Sequence, residues 1–423
     1  MRLVSYGLGL SPTPSGIDRS LRQLVCHAAA SIPQYRRRFV QARVDVSRIR
    51  SVEDLSRLPI TWRNEMASLP IEDCTDPSLN LRHCFHHATS GSSGSPIHVY
   101  MTRAEHAYRR LILGRALWRS TRMLPPIRIA EIGRVRKPDS RPMTGLRGVF
   151  TVFKPPGWLP PAEQVAGLVS YRPTIVEGFP TALEEIASFA LDAHTELPRP
   201  RLVVSRGEVL TEEGRRILGS AFHAPVVDYY NCEEVGNIAW QCPADPTRMH
   251  LNPDACIVEI VDDDGQLLPV GEAGLIAVTN LFNYTMPFIR YVLGDRGRLL
   301  PTEPGRCACG ARAPSMALVE GRADDWIVLP DGRRISPRVA LTVLFQRPDG
   351  ERVSGIRRYQ VLQESPRELI LKLVLDPDAE PGLFETLRAT ARDRLGGLAL
   401  EIRQVDSIPS ERSGKYKRVI SRL

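Results

Sequence analysis

Residues 89–96 read Thr-Ser-Gly-Ser-Ser-Gly-Ser-Pro, and this stretch points to both a fold and a chemistry. It follows a short run of strand character at Cys84–Thr89 and precedes a long amphipathic helix predicted at Arg103–Leu124. Its glycines let backbone N–H groups approach a polyanion, and its hydroxyl groups add hydrogen-bond donors. A phosphate-binding loop fits this composition. A flexible Ser/Gly connector also fits it, since the Walker pattern GxxxxGKS/T is absent.

Strands and helices alternate on the C-terminal side of this loop. The predicted strands, all short apolar runs, are Ile127–Ile132, Thr174–Gly178, Leu202–Ser205 and Val226–Tyr230. Helices are predicted at Thr181–His194 and Glu212–Ala221, whereas Gly133–Pro161 is rich in Pro, Gly and Arg and is predicted to be irregular. The alternation predicts a parallel sheet, whose ligands collect at the carboxyl ends of the strands.

The rest of the chain completes an α/β fold with two domains. Near the N-terminus, the apolar spacing predicts a helix over Ile17–Ala42 that is interrupted by Pro33. Past Cys242, short strands separated by Asp-Gly and Pro turns predict a small β subdomain. A chain of 423 residues exceeds what one core normally holds. We expect a large N-terminal domain of βα sheets plus the β subdomain over residues 1–321, and a small α+β domain over 322–423.

The positive charge of the chain does not by itself indicate a nucleic-acid partner. The formal net charge is +8, but the arginines are scattered among acidic residues and no block of five or six like charges occurs. This distribution argues against nucleic-acid binding and suits small polyanions. The sequence has no run of eighteen apolar residues, and its N-terminus lacks the apolar stretch of a signal peptide. We therefore predict a cytoplasmic protein with no membrane partner.

Four further motifs follow the loop along the chain. They are Tyr230-Asn231-Cys232-Glu233-Glu234-Val235, Arg290-Tyr291-Val292-Leu293-Gly294-Asp295, Gly321-Arg322-Ala323-Asp324-Asp325 and Pro409-Ser410-Glu411-Arg412-Ser413-Gly414-Lys415. Together with residues 89–96, they resemble in order and spacing the motifs of the adenylate-forming superfamily: a phosphate loop, Tyr-Gly-x-x-Glu, a ribose-binding Asp, a hinge and a terminal Lys. The segments Ile32-Pro33-Gln34-Tyr35-Arg36-Arg37 and Met286-Pro287-Phe288-Ile289 and the pair Cys307-Ala308-Cys309 are typical of its phenylacetate-CoA ligase branch.

The resemblance implies a role for each matched position. It assigns ATP or AMP binding to Thr89, Ser90, Gly91, Ser92, Ser93, Gly94, Gly207, Glu208, Asp228, Tyr229, Tyr230, Asn231, Asp295 and Arg322. Within this set, the loop would hold the β- and γ-phosphates, Tyr230 would lie against adenine, and Asp295 would accept both ribose hydroxyls. The catalytic residues would be Glu234, as a ligand of Mg²⁺, and Lys415, as the cation at the reacting phosphate. Asp324 would mark the hinge about which a mobile C-terminal domain rotates.

Three of these positions also have an ordinary explanation. Glu234 could begin a solvated helix, and Asp295 could be a turn residue. Lys415 could belong to a solvated basic tail, in which Lys417 is a nearby alternative cation. The motif order favours the functional explanation.

The implied activity is a two-step ligation. ATP would activate an aryl or arylacetic acid as acyl-AMP, and the acyl group would then pass to coenzyme A. Gly178, Phe179, Pro180 and Tyr229 are candidate residues of the acid pocket. An amine, a hydroxyl or a carrier thiol stays open as the acceptor, and a homodimer stays open as the assembly. A non-catalytic nucleotide-binding descendant is disfavoured, because Lys415, Glu234 and Asp295 are all retained.

The cysteines form a separate hypothesis. Disulfides are disfavoured in a large cytosolic enzyme, so metal binding or simple burial explains the eight cysteines better. Cys242, His250, Cys307 and Cys309 could form a tetrahedral Cys₃His site for structural Zn²⁺, with Cys256 as a competing fourth ligand. The resemblance favours zinc, while buried thiols and a surface histidine remain the alternative.

Two positions depart from the superfamily pattern. The phosphate loop commonly ends Gly-Lys-Pro, whereas here it reads Gly94-Ser95-Pro96, which removes a cation near the γ-phosphate. The usual Tyr-Gly is Tyr230-Asn231, and Asn is the non-glycine residue that best tolerates a left-handed backbone. We expect both changes to affect efficiency and substrate positioning without abolishing activity.

Overall fold

The computed structural model of the chain describes residues 13–89, 96–121, 123, 126–133, 143–145, 150–301, 307–347, 353–377, 379–411 and 415–423. The expected phosphate-loop residues Ser90, Gly91, Ser92, Ser93 and Gly94 lie outside these ranges. Within them, every helix is too short or too polar to cross a lipid bilayer.

Ten α-helices are present in the described part of the chain. They are α1 (Pro14–Ser31), α2 (Pro33–Gln41), α3 (Arg63–Ser68), α4 (Ile71–Cys74), α5 (Arg103–Thr121), α6 (Pro161–Tyr171), α7 (Pro180–Asp192), α8 (Glu212–Phe222), α9 (Pro337–Leu344) and α10 (Leu383–Arg394). The predicted break at Pro33 is confirmed, because Ile32 is extended and Pro33 opens the second helix.

The strands are mostly short. They are β1 (Phe85–Ala88), β2 (His98–Met101), β3 (Ile127–Ile132), β4 (Met143–Gly145), β5 (Phe150–Phe153), β6 (Ile175–Gly178), β7 (Leu202–Arg206), β8 (Val226–Cys232), β9 (Gly236–Gln241), β10 (Arg248–Leu251), β11 (Cys256–Val261), β12 (Ala273–Asn280), β13 (Tyr291–Arg298), β14 (Ser315–Ala317), β15 (Gly321–Arg322), β16 (Ile327–Val328), β17 (Arg334–Ile335), β18 (Ile356–Ser365), β19 (Glu368–Leu375), β20 (Ala399–Gln404) and β21 (Val419–Ser421).

The chain divides into two compact units, each built from two stretches. The first comprises Met1–Pro125 and Val227–Val319, and the second comprises Pro126–Val226 and Glu320–Leu423. The division after Val319 lies next to the expected domain boundary at Gly321. The mobility of residues 322–423 stays a prediction.

The first unit consists mainly of antiparallel strands. β11, β12 and β13 pair in sequence, and β9 pairs with β8 on one side and β10 on the other. The hairpin β1–β2 pairs Ala88 with His98, and the Thr89 N–H donates to the Ile97 carbonyl at 3.0 Å.

The second unit contains the predicted parallel sheet. β7, β6, β3 and β5 lie side by side and parallel, and one apolar core joins β3, β6 and β7 to α6, α7 and α8. The C-terminal stretch adds a sheet in the order β20-β19-β18-β21, packed with α9 and α10 around a second core. The predicted α/β class is confirmed.

The prediction of an irregular segment over 133–161 is wrong for two strands. Phe150–Phe153 pairs in parallel with Ile127–Ala130, and Met143–Gly145 pairs antiparallel with Phe150–Val152. Pairing with β3, which is distant in sequence, supplies the hydrogen bonds that local composition does not indicate.

Candidate functional site

The first unit brings together the two predicted nucleotide-binding residues Tyr230 and Asp295. Tyr230 lies on β8 and Asp295 on β13, and the Tyr230 hydroxyl donates to Asp295 Oδ2 at 2.8 Å. The two residues are 65 positions apart in the sequence. The arrangement places an aromatic ring next to a carboxylate, which suits a nucleoside whose base stacks and whose ribose hydroxyls donate.

Glu234 lies in the turn between β8 and β9 and is 4% exposed. Its Oε1 accepts from the Tyr291 hydroxyl at 3.2 Å and lies 3.4 Å from Arg63 Nη1. Burial raises the pKa of Tyr291 above its usual range, so the phenol stays protonated and keeps donating. Because it belongs to this turn, Glu234 does not begin a helix. A buried carboxylate with one cationic partner fits the ligand type that Mg²⁺ prefers.

The adjacent acid, Glu233, has different partners. Arg109 Nη2 donates to Glu233 Oε2 at 2.9 Å and Arg109 Nη1 donates to the Glu233 carbonyl at 3.1 Å. His87 Nδ1 lies 3.7 Å from the same carboxylate. The two acids therefore do not form a shared buried pair, and only Glu234 is fully buried.

The other predicted positions on β8 divide between the faces of the strand. Tyr229 is 1% exposed and its hydroxyl lies 2.9 Å from Ser120 Oγ, on the face opposite Tyr230. The Asp228 N–H donates to Gln241 Oε1 at 2.9 Å. Asn231 follows a register shift and continues the strand, and its φ lies outside the left-handed region. The shift supplies the local bend without a positive φ.

The second unit brings Lys415 to the carboxyl ends of β6 and β7. Lys415 Nζ lies 5.8 Å from the centre of the Phe179 ring. A Cβ placed on Gly207, whose φ is +81°, would lie 3.0 Å from Phe179 Cε1 and 3.7 Å from Lys415 Cε. Glycine at 207 thus leaves space for both side chains. The candidate acid-pocket residues Gly178 and Pro180 flank Phe179 at the end of β6.

Glu208 anchors the segment that carries Lys415. Its carboxylate accepts from the Tyr416 N–H at 2.7 Å and from Thr181 Oγ1 at 2.7 Å. Burial raises the pKa of Glu208, and the two hydrogen bonds oppose that shift. Glu208 therefore links the main chain next to Lys415 to Thr181 in α7. Its contact with a nucleotide stays a prediction.

Lys417, the alternative cation in the C-terminal motif, forms an ion pair with Asp325. Its Nζ lies 3.3 Å from Asp325 Oδ1, in the 3-10 helix Ala323–Asp325 that follows β15. Arg322 ends β15 and Asp324 lies in the 3-10 helix. The hinge role of Arg322 and Asp324 stays a prediction.

Cys242, His250, Cys307 and Cys309 converge in the first unit, with all four ligand atoms within 4.8 Å of one another. Cys242 Sγ lies 3.5 Å from Cys307 Sγ, and Cys309 Sγ lies 3.3 Å from His250 Nε2. Zn–S bonds of about 2.3 Å and Zn–N bonds of about 2.0 Å set neighbouring ligand atoms of a tetrahedral site roughly 3.5 Å apart. The four residues therefore fit a zinc ion.

Cys256 does not belong to this group, so the prediction that it competes as a fourth ligand is wrong. It opens β11 and packs in the apolar core with Ala255 and Phe282. Burial alone accounts for it, and burial raises the pKa of its thiol far above the usual range.

Sequence reasoning missed Arg63. Its Nη2 donates to Thr89 Oγ1 at 3.3 Å, and its Nη1 contacts both Glu234 and Tyr291. Thr61 pairs with Tyr291 in a parallel bridge and so fixes the start of α3 beside β13. The local sequence Thr61-Trp62-Arg63-Asn64 carries no glycine-rich or acidic signal that could have identified it.

A second missed feature is a charged cluster at the strand ends of the second unit. Arg206 Nη2 lies 3.0 Å from Glu131 Oε1 and 3.0 Å from Glu177 Oε1, and Lys154 also pairs with Glu131. Glu131 and Glu177 are register partners on β3 and β6, each 6% exposed. The two cations offset the two buried carboxylates, as burial requires.

Comparison with known proteins agrees with this geometry. Residues 330–422 match the family described as the CapK C-terminal domain. The chain is 25% identical to a phenylacetate-coenzyme A ligase of Thermus thermophilus over 78% of the chain and 75% of that protein. It is 24% identical to the enzyme of the same name from Aromatoleum evansii over 95% of the chain and 92% of that protein.

An acid–coenzyme A ligase is among the solved structures with this fold. A 2-hydroxyisobutyryl-CoA ligase in the postadenylation state, in complex with 2-HIB-AMP, matches with a TM-score of 0.78 at 20% identity, covering 96% of this chain and 89% of that one. The chain thus shares its fold with this ligase and is similar, over most of its length, to curated phenylacetate-coenzyme A ligases.

Proposed function

We propose that the chain is an AMP-forming acid–coenzyme A ligase that activates an aryl or arylacetic acid with ATP. The observation that carries the proposal is the hydrogen bond from Tyr230 to Asp295. Glu234, four residues after Tyr230 in the sequence, is buried in the same unit. The residues proposed to contact the base, the ribose and Mg²⁺, which are Tyr230, Asp295 and Glu234, then belong to one unit. The relatives named phenylacetate-coenzyme A ligase support the acid class and the acceptor.

The reaction has two steps. The acid carboxylate attacks the α-phosphorus of ATP, and the bond to pyrophosphate breaks to give acyl-AMP. The thiolate of coenzyme A then attacks the acyl carbonyl, and AMP leaves with the electrons of the broken C–O bond. Bound Mg²⁺, held by Glu234, would offset the charge of the phosphates.

The residues of this chain orient these groups. Thr89 and the residues that follow it would donate to the β- and γ-phosphates, Tyr230 would lie against adenine, and Asp295 would accept from the ribose. Lys415 would approach the α-phosphate as negative charge develops there. The cytoplasmic location and a homodimer stay predictions.

Acid-dependent exchange of pyrophosphate into ATP tests the first step. We expect exchange with at least one acid of a panel of benzoic and phenylacetic acids, and release of AMP on addition of coenzyme A. Exchange with no thioester product, followed by mass spectrometry with amine, alcohol and carrier-protein acceptors, would identify a different acceptor. Binding of ATP with no exchange for any acid would contradict the ligase proposal.

We also propose that Cys242, His250, Cys307 and Cys309 hold one structural Zn²⁺. The proposal rests on the ligand-atom distances and on the position of the four residues outside the residues proposed to bind ATP. Such a site ties β9 and β10 to the turn at Cys307–Gly310, where the Gly310 N–H donates to the Cys307 carbonyl at 2.7 Å. A metal that links separate segments stabilises the folded chain.

Metal analysis of the purified protein checks this proposal. We expect about one zinc per chain, and loss of the zinc with a lower melting temperature in the double variant Cys307→Ser/Cys309→Ser. The exposed Cys26 provides the control, since Cys26→Ser should keep both zinc and stability. Wild-type protein that holds no zinc after purification from zinc-supplemented medium would contradict it.

A further inference from the structure

Two acidic residues of the second unit hold the C-terminal segment that carries Lys415. Glu208, which follows β7, accepts from the Tyr416 N–H at 2.7 Å. Glu184, on α7, pairs with the guanidinium of Arg418, three residues after Lys415. The position of Lys415 therefore depends on contacts made by the residues that follow it.

Arg418 joins the C-terminal sheet to α7 and α8. Its carbonyl accepts from the Val361 N–H at 2.8 Å, which fixes its main chain beside β18. Its guanidinium pairs with Glu184, and its Nη1 donates at 3.4 Å to Oγ1 of Thr211, the N-cap residue of α8. The guanidinium also lies 5.5 Å from the centre of the Tyr359 ring. Because its main chain and its side chain are held by different elements, Arg418 fixes the segment relative to α7.

The pair of Glu184 and Arg418 is largely shielded from water. The two side chains are 15% and 10% exposed, respectively. Burial raises the pKa of Glu184, and the positive charge of Arg418 opposes that shift. Breaking a buried pair leaves a charge without compensation, so this pair holds its geometry more strictly than an exposed pair does.

Gly214 leaves the space that the Glu184 carboxylate occupies. A Cβ placed on Gly214 would lie 1.9 Å from Glu184 Oε1 and 2.7 Å from Glu184 Cδ. Gly214 lies in the first turn of α8, where its N–H donates to Thr211 Oγ1 at 3.0 Å. Alanine is favoured over glycine within a helix, so Gly214→Ala would displace the carboxylate without removing a charge or weakening the helix.

We propose that the pair of Glu184 and Arg418 positions Lys415 for the first step of the reaction, the attack of the acid carboxylate on the α-phosphorus of ATP. The proposal rests on the proposed function, in which Lys415 meets the charge that develops at that phosphate. Glu184 and Arg418 are positioning residues, because they act through the lysine. A catalytic group must be held within about 0.5 Å of its productive position, so loosening this pair lowers the rate of the first step.

Rates of the two steps, measured separately on the full chain, test the proposal. Arg418→Gln should lower acid-dependent pyrophosphate exchange at least about 10-fold and change the KM for ATP less than about twofold. Formation of thioester from supplied acyl-adenylate and coenzyme A should fall by no more than about twofold, because Lys415 acts before that step. Arg418→Lys keeps the charge and should retain most of the pyrophosphate exchange. The control is Arg422→Gln, which removes an exposed arginine that pairs with Glu364 and should change neither step.

Two further variants separate positioning from a purely structural role. Gly214→Ala keeps every charge but displaces Glu184, so it should lower pyrophosphate exchange at least about threefold. In the Lys415→Ala background, Arg418→Gln should lower the remaining exchange less than about twofold, because the lysine that it positions is absent. Equal losses in both steps, or the same fold loss with and without Lys415, would overturn the proposal.

Amide hydrogen exchange distinguishes failure of this proposal from failure of the ligase proposal. The Tyr416 amide, which donates to Glu208, should exchange its hydrogen at least about 10-fold faster in Arg418→Gln than in the wild-type chain. If the wild-type chain exchanges pyrophosphate with no acid while this amide is less protected in the variant, the ligase proposal fails and the pair still holds the segment. Unchanged protection of the Tyr416 amide would contradict the positioning role.

Discussion

Replacing Lys415 by alanine should lower acid-dependent pyrophosphate exchange by at least about 100-fold. Its Nζ lies beside the Phe179 ring, and its stem passes Gly207 at the carboxyl end of β7. A cation that meets charge appearing only in the transition state raises the rate more than it raises binding. We therefore expect kcat to fall, with little change in the affinity for ATP.

The fold should survive this substitution. The Tyr416 N–H donates to Glu208, and Arg418 pairs with Glu184, so main-chain and neighbouring contacts hold the segment without the lysine. Circular dichroism and a thermal melt would verify this.

Lys417→Ala is the matched control for Lys415→Ala. Lys417 pairs with Asp325, whose pKa is raised by burial and lowered again by the lysine. Its removal leaves Asp325 without that partner, so stability should fall while exchange stays within about threefold of wild type. A large loss of exchange in Lys417→Ala and none in Lys415→Ala would reverse the assignment of the two lysines.

Replacing Glu234 by glutamine should raise the Mg²⁺ concentration needed for half-maximal exchange by at least about 10-fold. The amide keeps the size of the side chain but loses the negative charge that a divalent cation needs. It also leaves Arg63 and Tyr291 as two donors around a weaker acceptor. Exchange at saturating Mg²⁺ should recover only in part, because the geometry at the metal is altered. The measurement is a Mg²⁺ titration of the exchange rate.

Glu233→Gln is the control that tests whether the loss of any negative charge next to the site raises the Mg²⁺ requirement. It removes one carboxylate at the neighbouring position, and its partners are Arg109 and His87. The Mg²⁺ requirement should then stay within about twofold of wild type. If both variants shift it equally, the effect is one of general electrostatics and Glu234 is not a specific ligand.

The sequence predicted several features directly. Pro33 breaks the N-terminal helix because its ring and missing N–H act locally. The apolar run Ile127–Ile132 forms a strand with those bounds, because a strand covered on both faces of a parallel sheet is a nearly continuous run of apolar residues. The motif order and the Cys/His set also name residues that lie together in the fold.

Other features depend on pairings that no local pattern encodes. Arg63 reaches Thr89 over 26 positions and Glu234 over 171, and it does so because Thr61 pairs with Tyr291. The same long-range packing placed Cys256 in a core and gave Glu233 and Glu234 separate partners.

The sequence by itself thus determined which chemical groups the protein carries and which short segments form helices and strands, since backbone periodicity and motif spacing are local properties. Only the tertiary structure decided that Arg63 contacts both Thr89 and Glu234 and that Lys417 pairs with Asp325. Those choices follow from side-chain contacts between strands and helices that are far apart in sequence, and such contacts are fixed only when the cores pack.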